Sequence, residues 1–136
     1  MTQNNHPLNR PVVAIIQARM SSSRLPGKAL LPVGGVPMLK RVIDRVSRAG
    51  LIDKVLVATT TDERDDAIQK ACVEWGVAFY RGSLYDVLDR YYQAALQSGA
   101  KTVVRITADC PMIDPGEIDR VIENFFEKDC DFLANR

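Results

Sequence analysis

At 136 residues, with 46% hydrophobic and 26% charged side chains, the chain has the size and composition of one soluble globular domain. Its net charge of +1 argues neither for nor against nucleic acid, but its basic residues lack the long stripe of nucleic-acid binders, which argues against that partner, and no apolar run approaches the ~18 residues of a membrane-spanning helix. Three cysteines, Cys72, Cys110 and Cys130, odd in number and without metal-ligand spacing, fit reduced thiols in a cytoplasmic protein.

The first ten residues, MTQNNHPLNR, lack the apolar core of a signal peptide and read as a disordered leader (1–10) before a domain over 11–136. They hold the only histidine, His6, which excludes a His-based metal cluster and a Ser-His-Asp or Cys-His nucleophile in the domain. Val12 to Ile16 is a short β-branched run that predicts a strand buried on both faces. It empties into a polar loop with Arg19, Arg24 and Lys28 around Ser21, Ser22 and Ser23, and no acid. Residues 1–43 hold six Lys or Arg and no Asp or Glu, whereas the other 93 hold 12 basic and 17 acidic side chains, a balance of −5. A cationic loop at the end of a buried strand suits a polyanion, most naturally a triphosphate. A solvated surface loop is the plainer alternative.

Gly34-Gly35 marks a turn, and Pro37 suits the first position of a helix whose stripe is Met38, Leu39, Val42, Ile43, Val46 and Ala49, stopped by Gly50. Lys54 to Thr60 is a second strand. Asp62 can cap a helix with Ala67, Ile68, Ala71, Cys72 and Trp75 on its apolar face, closed by Gly76. Val77 to Arg81 is a third strand, and Gly82-Ser83 turns the chain. Ser83 with Asp86 can cap a helix to about Ser98 with Val87, Leu88, Tyr91, Ala95 and Leu96 facing inward. Thr102 to Thr107 is the fourth strand. Asp114-Pro115-Gly116-Glu117 then opens a helix with Ile118, Val121, Ile122, Phe125 and Phe126 on its stripe, and 131–134 suits a fifth strand.

This alternation predicts a mostly parallel sheet with helices on both faces and right-handed crossovers. Ligands in such sheets sit beyond the carboxyl ends of the strands. The polar segments Gln17–Lys28, Thr59–Asp62, Arg81–Ser83 and Thr107–Asp114 all fall there. The loop is not a Walker P-loop, because Ser22 stands at the first glycine position and Ala29 follows the lysine. No GxGxxG follows the first strand either. What remains is an Arg/Lys loop facing Asp109, an acid at a strand end with Pro111 behind it. It suits Mg2+, which takes one or two carboxylates plus phosphate oxygens, or it caps a turn. Cys110, with no partner to activate it, reads as a small packing residue, as Trp75 does as core.

ARMSSSRLPGKAL (18–30) resembles the signature of the sugar cytidylyltransferases, which include the 3-deoxy-manno-octulosonate and acylneuraminate enzymes and, nearest, the SpsF type of spore-coat polysaccharide biosynthesis. The similarity continues through VLVATT with Asp62, RGSLYDVLDRY (81–91) and RITADCPMID (105–114). It implies a three-layer α/β/α sandwich of the nucleotide-diphospho-sugar transferase type, which is Rossmann-like. It further implies phosphate binding by Arg19, Arg24 and Lys28, with Gly27 allowing close approach, and a magnesium ligand at Asp109. Base and ribose would lie against Ala14, Gln17 and Ala18 and around Arg81, Gly82 and Ser83. Ala108 departs from the pattern, where relatives often carry glycine. Relatives are also longer, so the resemblance implies a domain incomplete at its C-terminal end, with the sugar pocket, a second metal-binding acid and homodimer contacts in the distal half.

The implied reaction is nucleotidyl transfer from CTP to a sugar, with Arg19, Lys28 and Asp109 as catalytic residues. Two alternatives stand beside it. One is a glycosyltransferase of related fold, for which Asp129-Cys130-Asp131 has the Asp-x-Asp spacing although a solvated turn explains it as well. The other is a nucleotide-binding or assembly module without activity. Tyr91 and Tyr92 could stack on a base, but their helical spacing favours core.

Overall fold

The computed structural model describes residues 10–21 and 26–128. In chain order these form β1 (Val12–Gln17), a 3-10 turn (Lys28–Leu30), β2 (Pro32–Val33), β3 (Val36–Pro37), α1 (Met38–Ser47) and β4 (Lys54–Thr60). A second 3-10 turn (Glu63–Asp65), α2 (Asp66–Trp75), β5 (Ala78–Gly82), α3 (Val87–Ser98), β6 (Thr102–Thr107) and α4 (Pro115–Lys128) complete them. The suggested leader, apart from Arg10, the fifth strand at 131–134, the Asp129-Cys130-Asp131 triplet and Arg24 all lie outside the described residues. Arg10 belongs to the folded part, since its guanidinium pairs with Asp53 at 2.6 Å.

Four strands make one parallel sheet in the order β5-β4-β1-β6. Val12 to Ile16 are fully buried at its centre because both of their faces are covered. Val12, Ala14 and Ile16 pack with Leu39, Val42 and Val46 of α1, Ile68 and Cys72 of α2, and Ile118 and Ile122 of α4. Val13 and Ile15 turn the other way, with Leu56 and Ala58, onto Tyr91 and Ala94 of α3. The period-2 alternation of a strand thus builds the three layers from one apolar run. Each such buried Val or Ile contributes roughly 1.5–3 kcal/mol.

The strand and α1 stripe assignments agree closely with the expectations, and the differences have physical causes. Gly34 and Gly35, both at positive φ (61° and 85°), close a two-residue hairpin between β2 and β3, the geometry that needs φ > 0 twice. Pro37 ends β3 and caps α1, which starts one residue later. Gly50 does not terminate α1, whose C-cap is Arg48. Its N–H and that of Leu51 instead donate to the two carboxylate oxygens of Asp119 on α4, each at 2.8 Å. Asp119→Ala is expected to lower stability by about 1–2 kcal/mol, because two backbone donors lose their acceptor; a shifted urea midpoint with unchanged slope is the check.

α3 departs most from expectation. Its inward face is Arg90, Tyr91 and Ala94, while Leu88 and Leu96 are 74% and 58% exposed. Asp86, whose carboxylate accepts from the Asp89 N–H at 2.9 Å, fixes the helix start at Val87. From there the stripe facing the sheet passes through 90, 91 and 94, with 88, 92 and 96 roughly 110–170° round the helix from it. Tyr91 is core and also carries the Arg105 guanidinium 4.3 Å over its ring, whereas Tyr92 is exposed.

Candidate nucleotide site

From β1 the chain moves through β4 to β5 on one side, then returns to place β6 on the other side of β1. The strand order therefore reverses between β1 and β6, the switch point beyond whose carboxyl ends ligands of such sheets sit, with α1 and α4 packed together on one face. Two backbone hydrogen bonds lock the mouth of β1. The Ala18 N–H donates to the Ala58 carbonyl at 3.0 Å, and the Ala108 N–H to the Gln17 carbonyl at 3.1 Å. Gln17, Ala18 and Arg19 thus emerge beside Ala108 and Asp109.

The cationic loop is pinched at its neck. The Gly27 N–H donates to the Met20 carbonyl at 2.8 Å, which returns Lys28 to the level of Arg19. Gly27 has φ 78°, a left-handed conformation that costs other residues strain, so its glycine serves the turn as well as any close ligand approach. Below the neck, the Met20 N–H donates to Oδ1 of Asp65 at 2.7 Å, and the Thr60 hydroxyl donates to Oδ2. Asp65 is fully buried. It is the tether between the cationic loop and the end of β4, and it was not among the expected site residues. In the run TTTDERDD an acid after a strand looks like a solvated helix start, and only its burial reveals the tether.

Asp109 lies on the opposite wall. Its Oδ1 accepts from the Thr107 hydroxyl at 2.6 Å, and this bond chiefly holds its carboxyl below the usual carboxylate range, against a partial desolvation that raises it. The Cys110 thiol at 3.7 Å and the charge of Lys28 pull in the same direction. Lys28 thus stands near enough for its charge to be felt at Asp109.

Other candidates sit differently. Ala14 is no part of the crevice: it is fully buried mid-strand, paired to Val55 on one side and Val104 on the other, so neither its backbone nor its methyl can meet a nucleotide. Arg81 is a brace. Its Nε donates to the Thr60 carbonyl (2.6 Å), Nη1 to Gln69 (2.7 Å) and Nη2 to the Asp62 carbonyl (2.9 Å), with Asp66 at 2.8 Å. Gly82 is tightly enclosed, since a Cβ there would come 2.8 Å from the Tyr80 ring. The Ser83 hydroxyl accepts from the N–H groups of Tyr85 and Asp86, both at 3.2 Å.

Cys110 is exposed rather than packed, because the chain turns outward after Asp109. Cys72 is buried, which pushes its thiol up to about 11. Alkylation at pH 8 followed by mass mapping is expected to label Cys110 and spare Cys72 until the chain unfolds. Early labelling of Cys72 would contradict its place in the core.

A parallel sheet whose switch-point crevice joins a cationic loop to a strand-end carboxylate defines a nucleotidyltransferase-type α/β domain. The chain belongs to the cytidylyltransferase family, whose profile matches residues 13–136. It is 34% identical over 125 residues to the spore coat polysaccharide biosynthesis protein SpsF of Bacillus subtilis, covering 89% of this chain and 52% of that one. A solved cytidylyltransferase from Leptospira borgpetersenii superposes with a TM-score of 0.80 at 37% identity, over 85% of this chain and 49% of that one. A CMP:2-keto-3-deoxy-manno-octonic acid synthetase complexed with CTP gives 0.76 at 27% identity, over 89% and 49%. The expected family and fold are thereby borne out, and the chain spans about half the length of these relatives.

Proposed function

We propose that this chain supplies the nucleotide site of a CTP-dependent sugar cytidylyltransferase acting in surface polysaccharide or glycoconjugate synthesis. A sugar hydroxyl attacks the α-phosphate of CTP, the new oxygen–phosphorus bond replaces the bond to the β-phosphate, and pyrophosphate leaves while the hydroxyl proton is released. The observation that carries this reading is that the cationic loop and Asp109 follow the adjacent strands β1 and β6, with the charge of Lys28 felt at the Asp109 carboxyl. The family membership and the CTP bound to the similar synthetase support the choice of nucleotide.

Nucleotidyl transfer needs positioning and charge neutralisation more than covalent help. Arg19 and Lys28 would hold the β- and γ-phosphates and stabilise the leaving pyrophosphate. Arg24 is assigned to the same loop by the family resemblance. Gln17, Ala18 and the Gly82–Ser83 turn would border the nucleoside.

Asp109 fits a hard divalent cation such as Mg2+. It is a charged oxygen donor, fixed by Thr107, and among the described residues no cluster of three or more His, Cys, Asp or Glu could hold a metal alone. One carboxylate plus phosphate oxygens is a set Mg2+ accepts. The ion would supply Lewis-acid neutralisation of the phosphates when bound.

Among the described residues no helix is long and apolar enough to cross a membrane; a cytoplasmic location, where CTP is available, is part of the proposal. The glycosyltransferase alternative rests on a triplet outside the described residues. Calorimetry with CTP and Mg2+ tests the site, and pyrophosphate release with candidate sugars tests the reaction. CTP binding without turnover would favour a nucleotide-binding module, and no binding would overturn the reading.

A further inference from the structure

Helices α1, α2 and α4 cover one face of the sheet, and among the described residues α3 covers the other by itself. Its outward side carries Leu88, Tyr92 and Leu96, which are 74%, 59% and 58% exposed. Four-residue spacing moves each only about 40° round the helix from the last, so the three form one stripe. The helix cannot roll to bury them. On its inner side the Arg90 Nε and Nη2 donate to the Ser83 carbonyl at 3.0 and 2.8 Å, and Nη2 also reaches the Leu84 carbonyl at 3.2 Å. Tyr91 and Ala94 are packed there against β1 and β4. A row of large apolar side chains held outward in this way marks a contact surface.

The symmetry of the stripe indicates what it meets. Leu88, Tyr92 and Leu96 read the same in both directions about Tyr92. A second α3 laid antiparallel across the first therefore sets Leu88 against Leu96 and Tyr92 against Tyr92. A two-fold interface requires such a self-complementary patch. The charges agree. Asp86 and Asp89 stand at the amino end of α3, whereas Lys101 follows its carboxyl end and Lys54 donates to the Ser98 carbonyl there at 3.2 Å. Antiparallel pairing brings the acids of one copy to the lysine end of the other, while parallel pairing would bring like charges together. Ala95 and Gly99 flank the stripe with little bulk, and a Cβ on Gly99 would meet nothing within 4 Å. Two such helices can approach closely.

We propose that the outer face of α3 is a self-association surface, through which two copies of this chain pair antiparallel about a two-fold axis at Tyr92. The pairing is independent of the CTP reading. α3 runs back from the carboxyl ends of the strands, so an antiparallel pair leaves the two proposed nucleotide sites at opposite ends. The stripe offers on the order of 300 Å2 per copy, against ~800 Å2 per partner in a stable interface. Association is therefore expected to be weak and reversible, with a Kd on the order of 100 µM.

Sedimentation equilibrium of the wild-type chain from about 10 µM to about 1 mM tests the pairing, and a monomer passing into a dimer is the expected result. Tyr92→Lys places two ammonium groups at the axis and is expected to weaken association roughly tenfold or more. Its Tm should stay at the wild-type value, because position 92 is exposed. Tyr92→Cys is expected to form a disulfide between the two copies at position 92 under mild oxidation, located by peptide mass mapping. Gln97→Cys, exposed but off the stripe, is expected to form none. A wild type that stays monomeric over the whole range, as it would if a different chain covers the stripe, overturns the proposal. Growth beyond a dimer, association that Tyr92→Lys leaves unchanged, or a dimer that does not cross-link at position 92 overturns it as well. If Tyr92→Lys does not fold, the cross-link decides alone.

Discussion

Lys28→Ala and Asp109→Ala are each expected to cut pyrophosphate release at least about 100-fold, the scale on which losing one preorganised charge contact at a transition state is felt. The two losses differ in kind. On the proposed roles Lys28 would meet phosphate directly, so its removal is expected to weaken CTP binding with or without Mg2+. Asp109 would act through the cation, so Asp109→Ala is expected to leave the metal-free affinity for CTP where it was and to remove the gain that Mg2+ brings. Calorimetry in the presence of Mg2+ and of chelator separates the two patterns, and near-normal turnover in either variant would refute its role.

The pH dependence follows from the same geometry. The folded pKa of Asp109 is lowered, with the Thr107 hydroxyl as the main cause. A depressed carboxylate contributes at every pH above its ordinary value of 3.8 and loses that contribution only as pH falls through the lowered one. The Asp109 share of Mg2+-dependent binding is thus expected to be flat across neutral and mildly acidic pH. Thr107→Val removes the hydroxyl and brings the loss to higher pH.

How much of this was legible in the sequence depends on whether a residue follows the rule that apolar means inside. β4 and β6 were bounded correctly, and the five apolar positions of α1, with Ala49 just beyond it, are buried, because their patterns have one solution. Lys28 and Asp109 were proposed on the same logic, as charges following strand ends where ligands of parallel sheets sit, and their roles await the tests above. On α3 the expected Val87, Tyr91 and Ala95 do pack on the sheet, but Leu88 and Leu96 do not, because they outrank Arg90 and Ala94 on any hydrophobic stripe although the sheet takes the latter pair. Asp65 and Arg90 failed for the same reason in reverse. Each is a charged residue spent inside, holding a loop by its backbone, and nothing in a linear pattern marks a charge for that use. Ala14 was included because a strand end and a strand middle look alike until the register with Val55 and Val104 is known.

Asp65 gives the sharpest test of that internal scaffolding. Asp65→Ala leaves the Met20 N–H and the Thr60 hydroxyl without their acceptor, and at ~1–3 kcal/mol for each unmet buried donor the expected loss is about 3 kcal/mol. In a domain of this size that lowers Tm by roughly 10 °C. Asp65 also offsets the buried charge of Arg90, so its removal leaves that guanidinium less compensated. Asp65→Asn keeps one acceptor oxygen for the Met20 N–H. Its amide N–H2 then meets a Thr60 oxygen that already accepts from the Asp62 N–H at 3.1 Å, so the loss should be intermediate. Because Met20 is the neck of the cationic loop, CTP affinity is expected to fall along the same series even where the protein remains folded. Thermal unfolding and calorimetry on the two variants decide the matter. A loss of stability with unchanged CTP affinity would show that the tether supports the fold without placing Arg19 and Lys28, and a wild-type Tm in Asp65→Ala would remove the tether altogether.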